Sequence, residues 1–284
     1  MSANRTEKRG RRNQLPLGKF INEVVHAPYY RSRPHEVVRY AYAKWLYKQH
    51  RIEDPLEFLR HLGVDTHAAM DGFERWRPML TDAFNRINDR AGLQGRCSME
   101  DGVVLYGIVR FMRPRNIIET GTAAGMSTSF ISAALLENGT GELISIDVAP
   151  DQATVLKSDG GQFAWPADGV GWGIPQEIKD RMVGRHTLVL EDVRTSLPRI
   201  LQGMKSLDIF FHDDLHIPPH MRWEYELVYP KLTPGGFLLS DDSDIGWIGF
   251  CRQLGLPDSS FNNIQRMTGL RKPLAGAART AAAG

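Results

Sequence analysis

The chain has 284 residues, 42% of them hydrophobic and 24% charged, enough apolar sequence for one full α/β core and a smaller accessory region. No stretch approaches 18 uninterrupted apolar residues, so no membrane span is expected; two cysteines, Cys97 and Cys251, do not make a disulfide scaffold and fit a reducing cytoplasm. A formal net charge of +2 implies no strong electrostatic partner, although residues 1–100 carry 18 Lys+Arg against 12 Asp+Glu and the remainder 17 against 21.

In chain order, a basic leader comes first. Arg5, Lys8, Arg9, Arg11 and Arg12 crowd its start without the apolar core of a secretory signal. With no interleaved aromatics and no nucleic-acid module behind it, the segment 1–16 reads as disordered and solvated, and no nucleic-acid partner is expected. Residues 17–94 read as a helical cap or dimerisation region. Val37 to Gln49 places Val37, Tyr40, Ala41, Trp45 and Tyr47 at helical spacing; Asp54-Pro55 opens a helix that Gly63 closes; Phe73 to Ile87 suggests a third, interrupted at Pro78. Met99 to Met112 then gathers Val104, Leu105, Ile108, Val109 and Met112 on one face, and Pro114 stops it.

Asn116 to Glu119 is a short apolar strand closed by a carboxylate, followed by a loop with Gly121 and Gly125 and a helix from Ser127 to Glu137, which Asn138-Gly139 caps. Such a turn serves either close approach of a ligand or plain strand-to-helix packing. Ala123 and Met126 occupy the second and third glycine positions of the dinucleotide fingerprint, which argues against a nicotinamide enzyme. The strand Glu142 to Ile146 ends in Asp147, either a ribose acceptor or a loop carboxylate. Thr187 to Leu190 is closed by Glu191-Asp192, Leu207 to Phe211 by His212-Asp213-Asp214, and Gly236 to Ser240 by Asp241-Asp242. In an open parallel sheet the carboxyl ends of strands share one edge, where ligands bind, so five runs ending in acid favour a site there. A short helix from Met221 to Lys231 runs into the turn Pro234-Gly235-Gly236. Ile245 to Leu254 reads as helical, Ile264 to Lys272 as a candidate late strand with no clear sixth strand beside it, and 274–284 as a disordered tail.

The run Glu-Thr-Gly-Thr-Ala-Ala-Gly-Met-Ser-Thr at 119–128, with Asp147, the His-Asp-Asp-Leu-His of 212–216 and the Leu-Thr-Pro-Gly-Gly-Phe-Leu-Leu-Ser-Asp-Asp of 232–242, resembles class I S-adenosylmethionine-dependent methyltransferases. It resembles methyltransferase family 24 in particular, as does Val170 to Pro175, and is similar to metal-dependent catechol and macrolide-sugar O-methyltransferases. The likeness covers about residues 95–272 and leaves the first 90 or so unexplained. It implies a Rossmann-like doubly wound α/β fold, a mostly parallel seven-stranded sheet over 95–273 with its last strands antiparallel, an N-terminal helical region, and a possible homodimer.

By the same resemblance, Glu119, Gly121, Thr122, Gly125 and Ser127 would hold the amino-acid end of S-adenosylmethionine and Asp147 the ribose. Glu191 and Asp192 would face the adenine, unless they are only a capping or surface pair. Asp213, Asp241 and Asp242 would hold Mg²⁺, whose hard charge suits oxygen ligands. Asp213 and His216 would be catalytic, His216 as general base. The chain departs from the Asp-Asn and Asp-Gly-Asp-His forms of those families, which leaves Asp214 as an alternative to Asp213. His212 and His220 read as structural or surface histidines. Trp165, Trp172, Trp223 and Trp247 are candidates for the mouth of the site, though tryptophan at a seam is often plain packing. The expected activity is O-methylation of a small molecule, a sugar or other specialised metabolite. Alternatives are N- or C-methylation by the same fold, or a partner protein that holds the cofactor without turnover.

Overall fold

A computed structural model of the chain describes residues 33–89, 97–148, 169–241, 245–256 and 261–274. The leader 1–16, Trp165, Asp242 and all but the first residue of the 274–284 tail lie outside the described residues.

The N-terminal part begins with α1 (Pro34–Gln49), which buries Ala43, Leu46 and Tyr47, and the two-residue β1 (Arg51–Ile52). In α2 (Pro55–His61) proline supplies a first residue that needs no hydrogen bond, and the Asp54 carboxylate accepts from the Leu56 N–H at 3.0 Å. After α3 (Thr66–Met70), α4 (Phe73–Asn88) runs through Pro78. The expected interruption there does not occur. Proline removes one ladder bond, whereas Phe73, Trp76, Leu80, Ala83 and Ile87 all stay buried on one face and Trp76 Nε1 donates to Glu137 at 3.0 Å. Ser98 caps α5 (Met99–Met112) by accepting from the Asp101 N–H, and Arg113 ends it in the left-handed conformation.

The sheet contains β2 (Asn116–Thr120), β3 (Glu142–Asp147), β4 (His186–Leu190), β5 (Leu207–His212), β6 (Leu232–Ser240), β7 (Asn263–Ile264) and β8 (Met267–Arg271). Its order is β1-β7-β8-β6-β5-β2-β3-β4; β2 to β6 are parallel to their neighbours among themselves, and β8 is antiparallel to β6 and β7. Eight strands rather than seven result because β1, from the helical region, pairs with β7. β6 begins earlier than expected: Pro234-Gly235-Gly236 is not a separate turn but an irregularity within the strand, between the pairs Leu207–Leu232 and Ile209–Phe237. The linking helices are α6 (Met126–Asn138), α7 (Gln176–Arg181), α8 (Val193–Gly203), α9 (Pro218–Val228) and α10 (Ile245–Gln253).

Adjacent residues of the central strands face opposite layers. Ile117, Ile209, Phe211, Phe237 and Leu239 pack with Phe58, Leu59, Trp76, Leu80 and Phe130 of the preceding helices and α6. Ile118, Phe210 and Leu238 pack with Leu197, Met221, Tyr225 and Trp247 of α8 to α10. Both faces are covered, which is why these strands read as unbroken apolar runs. The result is a Rossmann-like doubly wound sheet with a helical N-terminal region. From β2 the chain steps outward through β3 to β4, and from β5 in the opposite direction to β6. The reversal point, between β2 and β5, is where such a sheet opens a crevice at its carboxyl edge.

Candidate active site

The crevice is built by strand ends that stay in register one residue beyond the sheet. The Gly121 N–H donates to the Ile146 carbonyl at 2.9 Å, Asp213 N–H to Thr120 at 2.8 Å, and Asp241 N–H to His212 at 2.8 Å. Gly121, Asp213 and Asp241 are thus the first residues past β2, β5 and β6. Gly121 has φ +83, and a Cβ there would lie 1.9 Å from the Asp213 carbonyl oxygen. Only glycine lets the two loops touch. At Gly125, φ +91, a Cβ would meet Ile174 at 2.4 Å. The Gly171 and Gly173 N–H groups also donate to the Ala123 and Ala124 carbonyls at 2.8 Å, so the 170–175 segment is the backing of the glycine loop.

Asp147, at the end of β3, holds the same loop from below. Its Oδ2 accepts from the Thr122 and Ala123 N–H groups at 2.9 and 2.8 Å, and its Oδ1 from Val148 at 2.7 Å. Burial nevertheless pushes this acid up to about 6, against the pull of the three amides. Glu119 is fully buried behind the loop, off the crevice wall, and accepts from the Ser127, Thr128 and Ser145 hydroxyls at 2.5, 2.7 and 2.7 Å. It braces the first turn of α6 against β2 and β3; desolvation raises its acid and the hydroxyls partly offset that.

The crevice has about 580 Å³ of open space, walled by Gly121, Ala123, Asp147, Glu191, Asp192 and Asp213 among others. A smaller hollow shares Ala123 and Asp213 and adds Ile87, Cys97, Thr122 and Ser127. Thr122 Oγ1 is buried there without a hydrogen-bond partner. Asp213, His216 and Asp241 present ligand atoms within 4.8 Å of one another, and His216 Nε2 lies 3.6 Å from Asp213 Oδ1. The register that sets Asp213 beside Asp241 is the one that pairs His212 with Ser240.

A family profile described as a methyltransferase domain matches residues 118–243, from inside β2 to just past β6. Over these residues, just under half of the chain, the protein resembles a methyltransferase domain. Among solved structures, the chain is similar to the SAH-bound methyltransferase of Podospora anserina (16% identity, TM-score 0.42), with 57% of this chain covering 61% of that one. It is also similar to an O-methyltransferase of Bacillus cereus in complex with SAH (18%, 0.43; 62% of this chain, 76% of that one). A third is the O-methyltransferase TomG of Streptomyces achromogenes, involved in tomaymycin synthesis and solved with SAM (18%, 0.40; 62% and 75%). The chain thus spans less than two thirds of the Podospora protein. No curated protein matches it in sequence.

Within the matched stretch, Glu191 and Asp192 do line the crevice, and both are also paired. Asp192 caps α8 by accepting from the Arg194 N–H at 2.8 Å, and hydrogen bonding to Arg194 holds its acid below the usual range; Glu191 meets Arg199 at 2.5 Å. Of the tryptophans, Trp247 is fully buried against Tyr225 and is core rather than mouth, while Trp172 and Trp223 pack against the two cores. Burial and nearby carboxylates push the Cys97 thiol well up, which disfavours its thiolate.

Sequence reasoning missed one group. His212, read as a structural or surface residue, is fully buried with its Nδ1 2.5 Å from Glu224 Oε2 and 3.2 Å from Asp214 Oδ1, and His220 Nε2 is 3.1 Å from Asp214 Oδ2. Against the desolvation of burial, the charge and hydrogen bond of Asp214, with Glu224, push His220 up to about 9. The signal was present, since His216, His220 and Glu224 follow one another at four-residue intervals and the latter two share a face of α9.

Proposed function

We propose that this protein is an S-adenosylmethionine-dependent O-methyltransferase of a small molecule, a sugar or other specialised metabolite, assisted by Mg²⁺ with His216 as general base. The convergence of Asp213, His216 and Asp241 beside the crevice carries the reading. The residues suit the groups it requires. The unpartnered Thr122 hydroxyl in the adjoining hollow can donate to a ligand carboxylate, and the Asp213 and Asp241 carboxylates suit a hard divalent cation, with the His216 imidazole beside them as the base.

When bound, S-adenosylmethionine supplies a methyl group on an electrophilic sulfonium, and the cation lowers the pKa of an oxygen it holds. The protein's own groups supply the rest. Three of the four lone-pair positions of Asp147 hold loop amides, leaving one on Oδ1 for a ribose hydroxyl. Thr122 and Ser127 face the hollow that takes the amino-acid end, and Glu119 fixes the helix turn carrying Ser127. His216 removes the substrate hydroxyl proton, and the nearby Asp213 carboxylate stabilises the resulting imidazolium. A crevice that held the substrate oxygen beside the methyl donor would add the benefit of proximity.

No helix among the described residues is long and apolar enough to cross a membrane, and both cysteines are free and buried, in keeping with a cytoplasmic enzyme. Calorimetric titration of the chelator-treated protein with S-adenosylhomocysteine, repeated with Mg²⁺ and followed by turnover on hydroxylated metabolites, tests the reading. Binding should survive in His216→Ala while methyl transfer falls by about 10²–10⁴-fold, as for loss of a general base. Asp147→Ala should bind nothing. Failure of the wild-type protein to bind overturns the assignment; binding without transfer to any hydroxyl makes it a cofactor-holding partner instead.

A further inference from the structure

A helix on a protein surface ordinarily turns its apolar stripe inward and its charges outward. α1 does only half of this. Ala43, Leu46 and Tyr47 face the core, but on the opposite side Val38, Tyr42 and Trp45, spaced by four and three residues, are 70%, 41% and 56% exposed. The Tyr42 and Trp45 rings stack with centroids 6.0 Å apart. Arg252 of α10 holds Tyr42 from the side, donating from Nη2 to its hydroxyl at 3.2 Å with the guanidinium 5.8 Å from the ring centroid. The stripe is therefore a supported ridge of one aliphatic and two aromatic side chains.

The border of that ridge is cationic. Between Arg33 and His50 stand four Lys+Arg (Arg33, Arg39, Lys44 and Lys48) against Glu36 alone. Glu36 is itself buried and pairs with Arg39 at 2.9 Å. Residues 1–32 add seven Lys+Arg against two Asp+Glu, so residues 1–50 carry +8 and residues 51–284 carry −6. A net charge of +2 conceals this separation.

Three kinds of partner could cover such a face, and charge and apolarity together select one. A second copy would set Arg39 and Lys48 against the same cations, and like charges facing one another are costly. A nucleic-acid backbone would satisfy the cations but leave Val38 without an apolar partner. An anionic bilayer meets both demands. Tryptophan and tyrosine have an apolar body and a polar tip that suit the headgroup level, valine enters the acyl boundary, and lysine and arginine meet the phosphates.

We infer that the outward face of α1 is a docking surface for a membrane carrying anionic phospholipids. Val38, Tyr42 and Trp45 enter the interface, while Lys48 and the basic N-terminal sequence supply the attraction. The crevice takes no part in this, so the inference does not rest on the proposed methyl transfer.

The test is co-sedimentation of the full chain with vesicles of phosphatidylcholine alone and of phosphatidylcholine mixed with phosphatidylglycerol. Binding is expected only to the mixed vesicles, weakened by added salt. Val38→Ser combined with Trp45→Ser should lower affinity by at least about tenfold through lost apolar burial. Lys48→Glu should lower it by about tenfold through lost attraction. These side chains are exposed, so melting temperatures should match the wild type; if the double variant does not fold, Lys48→Glu decides. Failure of the wild-type protein to sediment, equal binding to neutral vesicles, or undiminished binding by the variants overturns the docking surface. Light scattering and duplex-DNA retention separate the other partners. A dimer that the double variant converts to monomer, or DNA binding that it abolishes, reassigns the face and overturns the membrane reading.

Discussion

Asp147 shows how one side chain meets two demands that oppose each other with pH. Its acid is raised to about 6 from a usual 3.8, so the folded protein holds this proton more tightly than the unfolded chain does. By linkage its contribution to stability is greatest below pH 4 and declines as pH rises to about 6. In the ribose-binding role proposed for Asp147, ligand binding runs the other way, because the ionised carboxylate is the better acceptor for a hydroxyl. Affinity for S-adenosylhomocysteine should therefore rise from pH 5 to pH 7.5 with a midpoint near 6, by about tenfold if the charge-assisted bond contributes the usual ~1.5 kcal/mol. Calorimetry across that range checks it, and a flat profile would remove Asp147 from the ribose. Gly121→Ala should be far more damaging, since the added carbon meets a backbone carbonyl and a φ of +83 at once. We expect a loss of about 3 kcal/mol or more in urea unfolding, with no ligand bound.

Among the elements, those with chemical punctuation were legible and those decided by packing were not. Asp54-Pro55 and the strand ends at Asp147, Asp213 and Asp241 could be read because a cap, a proline or a closing acid marks each one. Ser98 is a cap of the same kind, and Ser98→Ala should lower stability by about 1 kcal/mol in the same unfolding assay, since it removes the acceptor of the Asp101 N–H and a 2.6 Å bond to the Asp101 carboxylate. A change below a few tenths would mean that water satisfies the helix start equally well. Pro78 misled because proline's local penalty is visible in sequence, whereas the buried face of Trp76, Leu80 and Ala83 that overrides it is not. The irregularity at Pro234-Gly235-Gly236 was hidden for a similar reason. There the Gly235 N–H donates to the Lys272 carbonyl at 2.9 Å and the Lys272 N–H to Gly236 at 2.8 Å, and contacts with a distant strand carry no local signature. In the candidate site the acids were readable by position, but the partners of Glu119 and the meeting of His212 with Glu224 depend on tertiary approach.

At the scale of the whole molecule, the N-terminal helices and the doubly wound sheet share one apolar layer. Phe58, Leu59, Trp76 and Leu80 join a single cluster with Ile117, Phe211 and Phe237, and β1 lies in the same sheet as β7. Ile87 of α4 also reaches the smaller hollow beside Cys97, so this region supplies part of the site's wall. A detachable cap would melt separately; a shared core should unfold in one transition. Leu59 tests this because it is fully buried and seated against α5, where a Cβ on Gly107 would lie 2.7 Å from its Cδ1. Truncation to alanine leaves a cavity that such tight packing cannot close, at a cost of about 3 kcal/mol. For a chain of this size that is a fall in melting temperature of roughly 6–12 °C. Scanning calorimetry of Leu59→Ala should show the entire endotherm displaced. If the trace splits, with only a small early peak moving, the helical region folds on its own and the site wall at Ile87 can open independently of the sheet.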